Sequence, residues 1–96
     1  MMPQQYDIIF LAKAHKDYAK WEKASPAFVN KIDQLLAEME LTPREGTGRP
    51  HPLKGNLSGY WSRSFSEQHR ILYKIDDDAH LVIVHRLYGH YDKTES

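Results

Sequence analysis

The sequence predicts an α+β domain: a small antiparallel sheet with two helices packed on one face, in the order β-α-α-β-β-β. Three observations predict it. A clean apolar stripe at helical spacing runs from Phe28 through Ile32, Leu35 and Leu36 to Met39. A preceding segment repeats that spacing with Leu11, Ala14, Tyr18 and Trp21. The last third alternates strand-forming apolar residues with polar ones and breaks at Asp76-Asp77-Asp78, a tight acidic turn that makes its two flanking strands an antiparallel hairpin.

Taken in order, Asp7 to Leu11 (DIIFL) is a short apolar run that suits a first strand. In the first helix Lys13, Lys16, Asp17 and Lys20 are expected to face outward. Ser25-Pro26 then supplies an N-cap and a proline at the first helical position, where its missing N–H costs nothing. The second helix stops near Thr42-Pro43. From Arg44 to Gly59 the chain holds four glycines and two prolines and reads as loop. Three strands complete it: Tyr60 to Phe65, His69 to Asp76 and His80 to Tyr88. In the middle strand, alternation puts Arg70, Leu72 and Lys74 on one face and Ile71, Tyr73 and Ile75 on the other. With both helices on one face, the opposite face and its rim are left for a ligand.

The 96 residues make one domain, 1–96, with 1–6 and 92–96 reading as flexible ends. At 41% hydrophobic and 27% charged the chain is too apolar to be disordered. It has no cysteine, which excludes disulfides, zinc–thiolate sites and thiol catalysis together. The opening MMPQQYD lacks the basic start and long apolar run of a secretory signal. No apolar stretch approaches the ~20 residues that span a bilayer. A cytoplasmic protein with no membrane partner is the expectation. Thirteen basic residues balance thirteen acidic ones, which counts against a nucleic-acid binder unless the charge is segregated. It partly is: Arg49 to Arg70 carries four basic residues and two histidines against one acid, Glu67.

That basic stretch belongs to a longer pattern, TPxEGxGxPxPLKxNLSGxWSRxxxxxHRxxY, followed by a terminal RxxGHY. It runs from Thr42-Pro43 through Glu45-Gly46, Pro50, Pro52-Leu53-Lys54, Asn56 to Gly59, Trp61-Ser62-Arg63 and His69-Arg70 to His90-Tyr91. In this pattern the chain resembles the YoeB/Txe branch of the RelE-like toxins of bacterial toxin–antitoxin systems, over about residues 7 to 91. The resemblance implies a RelE-like fold and a ribosome-dependent endoribonuclease that cuts mRNA in the decoding site. It also implies neutralisation by an antitoxin of the YefM/Phd-like kind, whose C-terminal tail wraps the toxin; whether the chain forms a homodimer stays open at this point.

Cutting RNA without a metal uses the 2′-OH as the internal nucleophile. A base removes its proton, cations stabilise the phosphorane and an acid protonates the departing 5′-oxygen. Arg70, on a strand, is the first choice for the cation, because its guanidinium can grip two phosphate oxygens at once. An ordinary surface pair with an acid such as Glu67 is the bland alternative. The resemblance makes His90 the general acid and Tyr91 a base-stacking or phosphate-contacting group; an imidazole, with its ordinary pKa near 6.5, suits proton transfer at neutral pH. Family members commonly stop at that tyrosine, whereas this chain continues Asp92 to Ser96. The family pattern PEPLK places a glutamate base where this chain has His51. Either His51 keeps the role, forming a base/acid pair of imidazoles with His90 like that of pancreatic-type ribonucleases, or the chain is a weakened toxin. Lys54, Arg63 and Arg49 are candidate phosphate contacts. Trp61, Tyr18 and Trp21 read as core, Trp61 alternatively as antitoxin interface. His15, His80 and His85 have no partner at metal spacing, so neither a metal nor a cofactor is expected. Two other readings stay open: a non-enzymatic antitoxin-binding module of the same fold, and a ParE-type gyrase poison.

Overall fold

The computed structural model describes residues 5–89. The sequence expectations for His90, Tyr91 and the tail 92–96 therefore lie outside the described residues. Strand β1 (Asp7–Phe10) leads into helices α1 (Ala12–Ala24) and α2 (Pro26–Leu41). A two-residue strand β2 (His51–Pro52), a 3-10 turn (Gly55–Leu57) and strands β3 (Trp61–Ser64), β4 (His69–Asp76) and β5 (Leu81–Gly89) follow. Among the described residues, no helix is long and apolar enough to cross a membrane.

The sheet order is β1-β5-β4-β3-β2. Its β2–β3, β3–β4 and β4–β5 pairs are antiparallel, but β1 lies parallel to β5, with Asp7 opposite Leu81 and Phe10 opposite Val84. The sheet is thus mixed, which corrects the all-antiparallel expectation. The physical reason is connectivity. A tight turn forces its two strands antiparallel, whereas β1 reaches the sheet edge through two helices that leave its direction unconstrained. β2, too, lies within what the sequence offers as loop.

One core fills the space between the helices and one sheet face: Ala14, Ile32, Leu35 and Met39 pack against Ile71, Tyr73, Val82, Val84 and Leu87. The capping expectation for α2 holds. Ser25 Oγ accepts the Phe28 N–H at 3.3 Å and Pro26 is the first helical residue. Tyr6 is tied in rather than loose, its N–H donating to Glu40 O at 2.8 Å and its hydroxyl to Asp77 at 2.7 Å.

Asp17 corrects another expectation. It is 4% exposed and inward-facing. β1 covers only the first half of the outer edge of β5, and α1 completes the edge with side chains. Asp17 Oδ2 accepts the Leu87 N–H at 2.9 Å, and Trp21 Nε1 donates to the Leu87 carbonyl at 2.7 Å. Two side chains thereby satisfy the backbone groups that a longer β1 would have paired. Arg86 closes the arrangement through a 2.8 Å ion pair to Asp17. The register between β4 and β5 passes from Leu72 opposite Arg86 to Tyr73 opposite Val84, so His85 is the extra residue of a bulge.

Candidate active site

The loop after α2 must turn sharply to deliver β2 to the sheet, and the turn depends on a buried cation. Arg63 on β3 has no exposed surface. Its Nη2 donates to the carbonyl of Thr42 at 3.1 Å and also to that of Glu45. Glu38 of α2 works on the same loop. Its Oε1 accepts the Thr47 N–H at 2.9 Å, and that bond holds the carboxyl below its ordinary range. The Glu38–Arg63 ion pair is looser, at 3.8 Å, so the carbonyls are the main partners of the guanidinium. Two glycines make the path passable. At Gly46 (φ +117°) a Cβ would stand 2.5 Å from Glu38 Oε1, and at Gly48 (φ +91°) 2.5 Å from the Ser64 carbonyl. Arg63, one of the candidate phosphate contacts, is therefore corrected. A fully buried guanidinium committed to loop carbonyls is out of reach of RNA, and its charge is used inside the fold.

The clasped loop presents Arg49 and His51. Arg49, exposed and at φ +54°, turns its carbonyl back onto the His51 ring, with Nδ1 at 2.9 Å from the oxygen. A carbonyl can only accept, so Nδ1 carries the proton and Nε2 of the neutral ring keeps its lone pair. His51 is exposed and stands opposite Ser62 at the edge of the sheet. It has the tautomer a general base needs.

Arg70 comes from the other side. It is the second residue of β4, directly opposite Ser64, and its Nη1 donates to Ser64 Oγ at 2.7 Å. The turn before it is set by Ser66. Ser66 Oγ accepts N–H groups from Gln68 and His69 at 3.3 and 3.1 Å and contacts His69 Nδ1 at 2.8 Å. The His69 ring is packed among Trp21, Phe28 and Phe65 at centroid distances of 4.7, 5.4 and 5.7 Å. The residue preceding Arg70 is thus anchored in the aromatic part of the fold.

These elements meet at one open cleft of about 690 Å³, lined by Lys31, Arg49, His51, Ser64, Glu67 and Arg70 among others. It lies at the rim of the sheet, between α2, the clasped loop and the β3–β4 turn. The helix-free face beside it is partly occupied. Tyr60 sits edge-on to His85 at 4.8 Å and under the Lys74 ammonium at 4.6 Å. Three cations (Lys31, Arg49, Arg70) face one carboxylate (Glu67), so the segregation seen in the sequence becomes a locally positive site in a chain of zero net charge.

Of the sequence-predicted residues, the cleft brings together Arg49, His51 and Arg70. Lys54 is exposed and does not line it. Trp61 is half-buried against the core, with the Arg44 guanidinium 5.8 Å from its ring. His90 and Tyr91 fall outside the described residues; β5 ends at Gly89, opposite His69. Lys31 and Glu67 were not singled out from sequence as site residues. Lys31 sits on the polar side of an amphipathic helix, where spacing alone reads it as solvated charge. Among the described residues, no group of three or more His, Asp or Glu is placed to hold a metal ion.

The comparisons with known proteins fall on this frame. Residues 10–91 match the family described as the YoeB-like toxin of bacterial type II toxin–antitoxin systems. The chain belongs to that family. Toxin YoeB of Escherichia coli is 41% identical over 75 residues, 78% of this chain and 89% of the relative. Toxin YoeB of Streptomyces coelicolor is 43% identical over 84 residues, 88% and 98% respectively. A solved YoeB/ParE toxin from Agrobacterium tumefaciens superposes with a TM-score of 0.83 at 32% identity, covering 88% of this chain and 99% of that one. The YoeB–YefM complex from Staphylococcus aureus gives 0.78 at 33% identity, covering 91% and 99%. Membership in the YoeB-like family makes the chain a toxin of the type II class and fixes its fold as RelE-like.

Proposed function

We propose that this YoeB-like toxin is a ribosome-dependent, metal-independent endoribonuclease that cuts translated mRNA in the cytoplasm. A YefM/Phd-like antitoxin holds it inactive. The observation that carries the reading is the meeting of His51, with its Nε2 lone pair available, and Arg70 on the walls of one positive cleft. His51 Nε2 takes the 2′-OH proton. The 2′-oxygen attacks phosphorus and the bond to the 5′-oxygen breaks. Arg70 neutralises charge growing on the phosphoryl oxygens, and His90 protonates the 5′-oxygen. A 2′,3′-cyclic phosphate and a 5′-hydroxyl result. Tyr91 and Arg49 grip the RNA beside the cut, and Lys54 holds phosphate further along. The solved Staphylococcus aureus relatives include a YoeB–YefM complex and a YoeB dimer, which supports an antitoxin partner and a homodimer here.

Expression without antitoxin arrests growth, and primer extension in a translating extract shows mRNA cuts that vanish when initiation is blocked. Arg70→Ala lowers the cleavage rate about 10²- to 10³-fold, the usual loss for one transition-state donor. Equal activity in that variant refutes the assignment. A second reading rests on His51 itself, which stands where the family pattern has glutamate: an antitoxin-binding module with weakened catalysis. Intact mRNA and normal growth with folded, antitoxin-binding protein favour it.

A further inference from the structure

Ser64 occupies the junction between the two arms of the cleft. Its backbone N–H donates to the Gly48 carbonyl at 2.7 Å, which ties β3 to the loop that carries Arg49 and His51. Its Oγ accepts Arg70 Nη1 at 2.7 Å, from the residue directly opposite on β4. The closeness of Gly48 to this strand, where a Cβ would meet the Ser64 carbonyl at 2.5 Å, leaves Ser64 little room to shift. The backbone that carries the hydroxyl is thus held from both sides. An arginine carries five N–H donors in a planar fork, and the one given to Ser64 restricts the plane of the guanidinium. Neighbouring residues of a strand face opposite sides, and β3 uses both. Arg63, on the core side, clasps the loop bearing His51. Ser64, on the cleft side, aims Arg70.

From this geometry we infer that Ser64 is a positioning residue that orients the Arg70 guanidinium toward the scissile phosphate of an RNA substrate. The inference rests on the ribonuclease reading for its consequence, though not for the contact itself. Ser64 touches no reacting atom; its effect passes through Arg70. Removing the hydroxyl while leaving the strand intact therefore lowers the rate at saturation more than substrate affinity.

Two measurements test it. Single-turnover cleavage on mRNA-programmed ribosomes is measured for the parent, Ser64→Ala, Ser64→Thr, Arg70→Ala and the Ser64→Ala/Arg70→Ala pair. The rate at saturation falls about 10-fold in Ser64→Ala, the half-saturating concentration is unchanged, and Ser64→Thr, which keeps the hydroxyl, recovers most of the rate. In the Arg70→Ala background, Ser64→Ala has no further effect, because the residue it acts through is gone. The same 10-fold loss in both backgrounds overturns the inference. The second measurement needs no activity: ¹⁵N–¹H spectra of the arginine side chains in the intact protein. Slowed rotation of the Arg70 guanidinium in the parent, freed in Ser64→Ala and kept in Ser64→Thr, supports the inference even if no RNA is cut. Absence of cutting by the parent would sink the ribonuclease reading alone. A guanidinium equally mobile in parent and Ser64→Ala overturns the positioning role whatever the cleavage result.

Discussion

Replacing His51 separates a base from a loop residue. The ring is exposed on a two-residue edge strand and, among the described residues, makes one hydrogen bond, from Nδ1 to the Arg49 carbonyl. His51→Ala therefore costs the fold little, within about 0.5 kcal/mol as for most surface changes. Its cost to catalysis is of another order. A positioned general base contributes about 10²- to 10⁴-fold. Because the cleft is open and water can reach the 2′-OH, the loss is expected near the lower end, about 10², or about 2.7 kcal/mol of barrier at 1.36 kcal/mol per decade. His51→Glu restores the residue of the family pattern and shifts the pH profile instead. A base acts when deprotonated, so the rate climbs as pH rises through its pKa. A carboxylate is a weaker base than an imidazole, so the climb lies at lower pH when glutamate is the base. His51→Glu therefore extends activity to lower pH than the parent. The basic limb, set by the acid, stays in place. Single-turnover cleavage on programmed ribosomes from pH 5 to 8 reads both changes. If His51→Ala cuts as fast as the parent with the same profile, the base lies elsewhere and the tautomer argument fails.

The remaining predictions address the frame and the wall of the cleft. Arg63→Met leaves the Thr42 and Glu45 carbonyls without their charged donor and costs about 2–3 kcal/mol, the usual loss for hydrogen bonds to a charged group. For a domain of this size that is a fall in melting temperature of about 10 °C or more by calorimetry; a fall of a few degrees would mean the loop holds itself. His85 loses solvation by burial and feels the nearby Lys74 charge, both of which push its pKa down. The unfolded chain therefore binds this proton more readily, and stability present above the ordinary value of about 6.5 is lost as pH falls through it toward the depressed folded value. Denaturation midpoints from pH 7.5 to 5 decline in the parent and decline less in His85→Gln; parallel curves refute the assignment. Lys31→Gln weakens binding to single-stranded RNA without altering the saturated rate and reduces the salt slope by about 0.7, the value for one lost phosphate contact. An unchanged slope removes Lys31 from the RNA path.

Much of this frame was legible in the sequence because its signals are local. Ser25-Pro26 fixed the start of α2, the apolar stripe fixed its buried face, and the acidic turn set the β4–β5 hairpin that carries Arg70. Direction of pairing at β1 was not legible, since nothing in so short a strand says whether a distant edge will accept it parallel or antiparallel. Two errors had readable signals. Asp17 lies three residues after Ala14 and four before Trp21, which is the buried stripe of α1, so its spacing argued against an outward charge. Arg63 alternates with Trp61 and Phe65, both apolar, and so shares their face of the strand. In each case the position of the side chain outweighs its charge. The polar partners that make burial tolerable, carbonyls at 42 and 45 for Arg63 and the Leu87 N–H for Asp17, come from distant segments and are invisible to periodicity.

The charge distribution also bears on why such a domain would work on the ribosome. A chain of zero net charge exerts little long-range pull on RNA, because exposed charges more than about 10 Å apart are largely screened in ordinary salt. Its cleft offers three cations against Glu67, enough to hold a phosphate that has arrived but too few to gather a free strand from solution. The structural effort goes into orientation instead. A buried arginine, two tight glycines and a serine with little room to move fix where His51 and Arg70 stand relative to each other. Oriented groups of this kind accelerate a reaction only if the substrate comes equally oriented. A translating ribosome holds mRNA in a fixed path, so a domain with strong positioning and weak attraction fits that substrate better than it fits free RNA. On the proposed reading the same balance gives an antitoxin its opportunity, because a partner that covers this small positive cleft would shield His51 and Arg70 together.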